Sequence, residues 1–130
     1  MNQEEMLSNL RRVFLLESQF CSDFANLHAK LFTTDAETLY HELDVNNRQD
    51  YAEDNTAYFD FQFGSANGTI LKTPDGRAHL SDEIWFYKPD HTEPSLIIYL
   101  DPEGFPINFT YDPDGIQWNS RLPLHQTQTY

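Results

Sequence analysis

Apolar and polar positions change period once along this chain. From Gln3 to about Phe32 the apolar residues recur at intervals of three and four: Leu7, Leu10, Val13 and Phe14, then Phe20, Phe24, Leu27 and Leu31. That spacing lines one face of a helix. The polar set Glu4, Glu5, Arg11, Arg12, Glu17, Asp23 and Lys30 falls mostly elsewhere. The stripe shifts register near Gln19–Ser22, and a kink is expected there. A second helix is expected over "TTDAETLYHEL", with Thr34 as cap, Glu37 three residues later as in a capping box, and Leu39, Tyr40 and Leu43 facing inward. Helices thus occupy residues 3–44. Residues 45–56 are polar and aperiodic and read as a loop.

Beyond residue 56 the period becomes two. Ala57, Phe59, Phe61 and Phe63 alternate with Tyr58, Asp60 and Gln62, the pattern of a half-buried strand. "GTILKT", "EIWFYK", "SLIIYLD" and "PINFTYD" supply further strands, the last with Ile107, Phe109 and Tyr111 on one face. Four turns punctuate them: Pro74-Asp75-Gly76, Pro89-Asp90, Pro102-Glu103-Gly104 and Pro113-Asp114-Gly115. Proline presets φ for a turn and glycine takes the left-handed position after it. Helices first and strands afterwards is the α+β pattern. The expectation is one domain over residues 1–130. Two N-terminal helices pack on one face of an antiparallel meander of about five strands, over residues 57–112. A polar C-terminal tail, 113–130, follows.

Composition narrows the function. Nineteen of 130 residues are aromatic, too many for a disordered acidic tail. There are 21 acids against 8 lysines and arginines, net −13. Such a field repels nucleic acid and anionic membrane and draws basic partners. No apolar run is long enough to span a membrane, and the N-terminus lacks a secretory h-region, so a cytoplasmic location is expected. The single cysteine, Cys21, sits between aromatics and reads as a buried, inert thiol.

Catalytic and cofactor signatures do not emerge. The acids of "DPEG" and "DPDG" lack the ligand spacing and closing glutamate of a calcium loop, and turn chemistry accounts for them. The five histidines form no metal-ligand pattern, and no nucleophile elbow or phosphate loop occurs. The expected catalytic, metal and cofactor sets are therefore empty.

The informative cluster runs from Asp35 to Asp60, with eight acids and one base, Arg48. Tyrosines 40, 51 and 58 are interleaved. Acids steer a basic partner, and tyrosines give contact area at low entropic cost. The expected partner-binding residues are Glu42, Asp44, Asp50, Tyr51, Glu53, Asp54, Tyr58 and Asp60.

A strand ending in Tyr87-Lys88-Pro89 is followed by a strand ending at Asp101 to Gly104 and then by a Phe109-x-Tyr111-Asp112 strand. These residues, within "EIWFYKPDHTEPSLIIYLDPEGFPINFTYDPDG", resemble the end of the YezG-type immunity proteins of bacteria. The resemblance covers about a quarter of the chain. It implies a small acidic, non-enzymatic inhibitor that binds a cognate secreted toxin, many of which are nucleases. Two alternatives stand beside it: a DNA mimic occupying a DNA-binding protein, and a small ligand-binding or enzymatic cone-shaped α+β domain. A deep apolar pocket with convergent polar groups would favour the last.

Overall fold

A computed structural model describes residues 2–117. It contains three helices, α1 (Gln3–Leu16), α2 (Ser18–Thr33) and α3 (Ala36–Glu42). Six strands follow: β1 (Asp44–Tyr51), β2 (Thr56–Phe63), β3 (Ala66–Lys72), β4 (Ala78–Phe86), β5 (Leu96–Leu100) and β6 (Pro106–Tyr111). The strands form one antiparallel sheet in chain order. This is the expected α+β arrangement, with one more helix and one more strand.

The first helical stretch is divided at Glu17, not at Gln19–Ser22. No proline or glycine marks the break. Glu17 leaves helical geometry at φ −118°, ψ 75°. Its carboxylate accepts a hydrogen bond from the Tyr111 hydroxyl at 2.6 Å and lies 3.3 Å from the Lys88 ammonium. Its partners therefore come from β6 and the segment after β4. At the start of α3 the cap is Asp35, one residue after the expected Thr34, and its carboxylate accepts from the Thr38 N–H at 2.8 Å. Glu37 is thereby released from any capping box and turns to Arg48.

Residues 45–51, expected as loop, are the body of β1. Their polarity follows from position: among the described residues β1 is an edge strand paired only with β2, and little of it is buried. Its register shifts between Asn46 and Gln49, where Asn47 takes φ 52°. A second shift lies between Gly68 and Thr69, opposite Asp82 at φ 66°, and a third between Tyr99 and Leu100. Such bulges bend strands and increase local twist. The third overturns one expectation. Pro106 pairs with Leu100 and Asn108 with Tyr99, so Ile107 is left unpaired and exposed while Phe109 and Tyr111 point inward.

The helices cover one face of the sheet. Met6, Leu10 and Val13 from α1, Phe20 and Leu27 from α2, and Leu39 from α3 pack with Phe59, Phe61, Ile70, Ile84, Phe86, Ile98 and Phe109. The ring of Phe86 receives Phe20 and Phe24 at centroid distances of 5.4 and 6.0 Å. Cys21 is exposed, because Phe20 and Phe24 occupy the stripe and leave the thiol on the outer side.

Asp23, expected among the solvated residues, is buried. Its carboxylate accepts from Ser65 N–H at 2.8 Å, Ser65 Oγ at 2.6 Å and Gln19 Nε2 at 3.0 Å. It fastens α2 to the β2–β3 turn. That turn needs Gly64 twice over: φ is +56°, and a Cβ would stand 2.6 Å from the Asp23 carboxylate.

Acids of the later turns hold their own backbone. Asp101 accepts from the Glu103 and Phe105 N–H groups at 2.9 Å each, and Asp112 from Asp114 at 3.0 Å. Residues 113–117 follow β6, with the Ile116 N–H bonded to Pro94 O. The rest of the expected tail, 118–130, lies outside the described residues.

Candidate functional site

The face of the sheet away from the helices holds a hollow of about 460 Å³, bounded by β1, β2, β3 and β4. Strand alternation builds it. Asp60 and Gln62 point opposite to Phe59 and Phe61, Asp44 pairs with Gln62, and Asn67 pairs with Trp85. Three carboxylates line the hollow, those of Asp44, Asp60 and Glu83, with the amides of Asn46, Asn47, Gln62 and Asn67 and the indole of Trp85. Among the described residues, none of those lining it is a lysine, arginine or histidine.

The carboxylates are held differently. Asp60 accepts from Thr69 Oγ1 at 2.8 Å and Asn47 Nδ2 at 3.2 Å. Glu83 accepts from Trp85 Nε1 at 2.6 Å. Asp44 has neither hydrogen bond nor ion pair on its carboxylate among the described residues. The Asp44 and Asp60 carboxylates retain lone pairs for a further donor. Carboxylates and an indole lining one hollow suit a guanidinium or ammonium, through charge-assisted hydrogen bonds and cation–π contact.

The eight expected binding residues are divided among three places. Asp44, Tyr51, Tyr58 and Asp60 lie on the open face, where Tyr51 meets Tyr58 edge-on at 5.9 Å. Glu53 and Asp54 form the tip of the β1–β2 hairpin. Glu42 and Asp50 lie apart from both. Glu42 is on α3, 3.8 Å from Lys30. Asp50 pairs with Ala57 of the core-facing row, and Arg48 binds it at 3.0 Å.

Arg48 also makes two bonds to Glu37, at 2.8 and 2.6 Å, and its guanidinium stands 4.7 Å from the Tyr40 ring centre. The hydrogen bonds from Arg48 are the leading cause that holds the Glu37 and Asp50 carboxyls below their ordinary range. Through Arg48, Glu37 fastens α3 to β1, and Asp50 holds the guanidinium from within β1.

No family model, curated protein or solved structure matches the chain. The site therefore rests on its own geometry. Sequence reasoning missed Glu83, Trp85 and the four amides. Glu83 and Trp85 share a face by alternation, which is legible. Their approach to Asp60 depends on the bulge opposite Gly68, which leaves no periodic signal.

Proposed function

We propose that this chain is an immunity-type inhibitor that binds a basic toxin domain of the producing cell's own system through the open face of its sheet. The observation that carries the reading is the hollow. Three carboxylates and an indole line it with no basic side chain among the described residues, and Tyr58 stands two residues before Asp60 on the same strand face, beside Tyr51. Basic side chains of the partner enter the hollow, and the tyrosine pair supplies apolar contact beside it. The resemblance of the Tyr87–Asp112 segment to immunity proteins supports the same class. Inhibition follows from covering the toxin's own basic substrate groove, which for a nuclease must attract phosphates. The division of the acids between the open face, a hairpin tip and the helix side favours such local recognition over imitation of an extended phosphate ladder. The place of action proposed is the cytosol.

The test is co-expression with the toxin encoded beside the gene, followed by binding measurements on the purified pair. Protection of cells and a stable complex are expected. Asp44→Lys with Asp60→Lys should abolish protection, whereas Glu42→Lys should leave it intact. Protection that survives the double charge reversal would place the interface elsewhere, and a neighbouring protein that neither harms cells nor binds would end the reading.

A further inference from the structure

A larger cavity, about 910 Å³, lies at the other end of the molecule on the helix side of the sheet. Three separate segments wall it: the end of α2 with the link to α3, the β3–β4 turn, and the β5–β6 turn. Ala78 and Leu80 make the floor. The walls brace one another. The Ala36 N–H donates to the Gly76 carbonyl at 2.9 Å, which ties the start of α3 to the β3–β4 turn. In the β5–β6 turn the Glu103 and Phe105 N–H groups both donate to Asp101. That turn also sits directly on β4, since a Cβ at Gly104 would stand 3.0 Å from the Leu80 carbonyl oxygen. Small-molecule sites have this character: concave, largely pre-formed, with apolar walls and a few polar groups that fix orientation.

The lining sets the sign of the ligand's charge. Each wall brings one carboxylate, Asp35, Asp75 and Glu103, and these share the cavity with one guanidinium, that of Arg77. The Thr73 hydroxyl, and less strongly the Arg77 charge, hold the Asp75 carboxyl below its ordinary range. The one arginine thus already serves one of the three acids. Asp35 accepts from the Thr38 N–H as the α3 cap, and among the described residues no lysine or arginine pairs with it. The Glu103 carboxylate has neither hydrogen bond nor ion pair among the described residues. Of the two histidines in the lining, His28 has its pKa lowered by burial, and His79 Nδ1 lies 3.2 Å from the Leu80 carbonyl oxygen. Phe32, 89% exposed, and Phe105, 56% exposed, stand on different walls. Ring faces add to the same preference, because their quadrupole attracts cations.

We propose that this cavity binds a small organic cation with an apolar body, its ammonium on Glu103 within the field of the three acids, and its body over Leu80 between Phe32 and Phe105. Arg77 opposes the ammonium and directs it away from the β3–β4 turn. The site is separate from the acidic hollow, which opens on the opposite face of the sheet, and does not depend on the toxin-binding reading.

The probe is phenylbutylamine, titrated calorimetrically into the full chain at neutral pH and about 0.15 M sodium chloride, which screens the distant acids. Phenylbutyrate, phenylbutanol and propylamine are run alongside: the body with the wrong charge, the body with none, and the charge without the body. Saturable one-to-one binding of phenylbutylamine is expected, tighter than any of the three. Glu103→Gln should weaken it about fivefold, the size of one exposed charge pair. Phe105→Ala should also weaken it, and Arg77→Gln should tighten it. All three replaced side chains are exposed, so folding is not at stake, and a circular dichroism spectrum checks this. In an amide NMR titration the perturbed resonances should map to the β3–β4 and β5–β6 turns. Absence of saturable binding, equal affinity for phenylbutyrate or phenylbutanol, or indifference to Glu103→Gln would each overturn the proposal. So would perturbations confined to β1 and β2, which would put the amine in the acidic hollow. Failure of the amine to bind while Phe32→Ala and Phe105→Ala weaken the toxin complex would overturn it too, and assign the cavity to the protein partner.

Discussion

Asp23 and Gly64 constrain each other tightly. A buried carboxylate with three donors stabilises only while all of them are present, and removing it strands the Ser65 N–H. Asp23→Ala is expected to cost about 3 kcal/mol, read from urea denaturation. Gly64→Ala should be comparably harmful, because the new methyl meets the carboxylate in a backbone conformation that L-residues avoid. His28 adds a pH dependence. Its ring packs edge-on to Phe24 at 4.8 Å, and burial on that side lowers its pKa from 6.5. The unfolded chain then binds the proton more readily, so stability should fall as pH drops through 6.5 toward the lower folded value. His28→Gln should remove that part of the slope in a series of melts between pH 5 and 7.5.

At the scale of elements, the helix division at Glu17 is a tertiary event. Tyr111 reaches it from β6, 94 residues away in sequence. A double-mutant cycle on Glu17→Gln and Tyr111→Phe should give a coupling of about 1 kcal/mol, and zero coupling would mean that the break is set locally. This explains what could be read in advance. The stripes of α1 and α2 and the alternation of β2 are written in local periods, and the structure follows them. Glu17, the cap at Asp35 and the bulge exposing Ile107 depend on partners or registers that no short window contains. Strand β1 was hidden for a different reason. An edge strand with little burial needs no apolar row, so its sequence resembles a loop. The candidate site was half legible on the same grounds: Asp44, Tyr51, Tyr58 and Asp60 share a hairpin face, but Glu83 and Trp85 arrive through two strand pairings.

For the whole molecule, net −13 opposes compaction through self-repulsion. Screening should relieve it, so the melting temperature should rise between low salt and about 0.3 M sodium chloride, where the screening length is well under 10 Å. Complex formation should respond in the opposite sense. Association with a basic partner should slow over the same range, with a smaller change in dissociation. If both quantities ignored salt, the acidic field would have no energetic role in either folding or recognition.

The proposed inhibitor role would call for an excess of this chain over its partner. Crowding many copies of a sheet protein invites strands to add edge to edge and grow into fibres. The bulge at Asn47, with its backbone turned left-handed in the middle of β1, interrupts the even row of donors and acceptors that an incoming strand would need. Arg48 and Asp50 add charge to the same edge. The irregularity that disguises β1 as a loop thus also guards the sheet edge against strand addition.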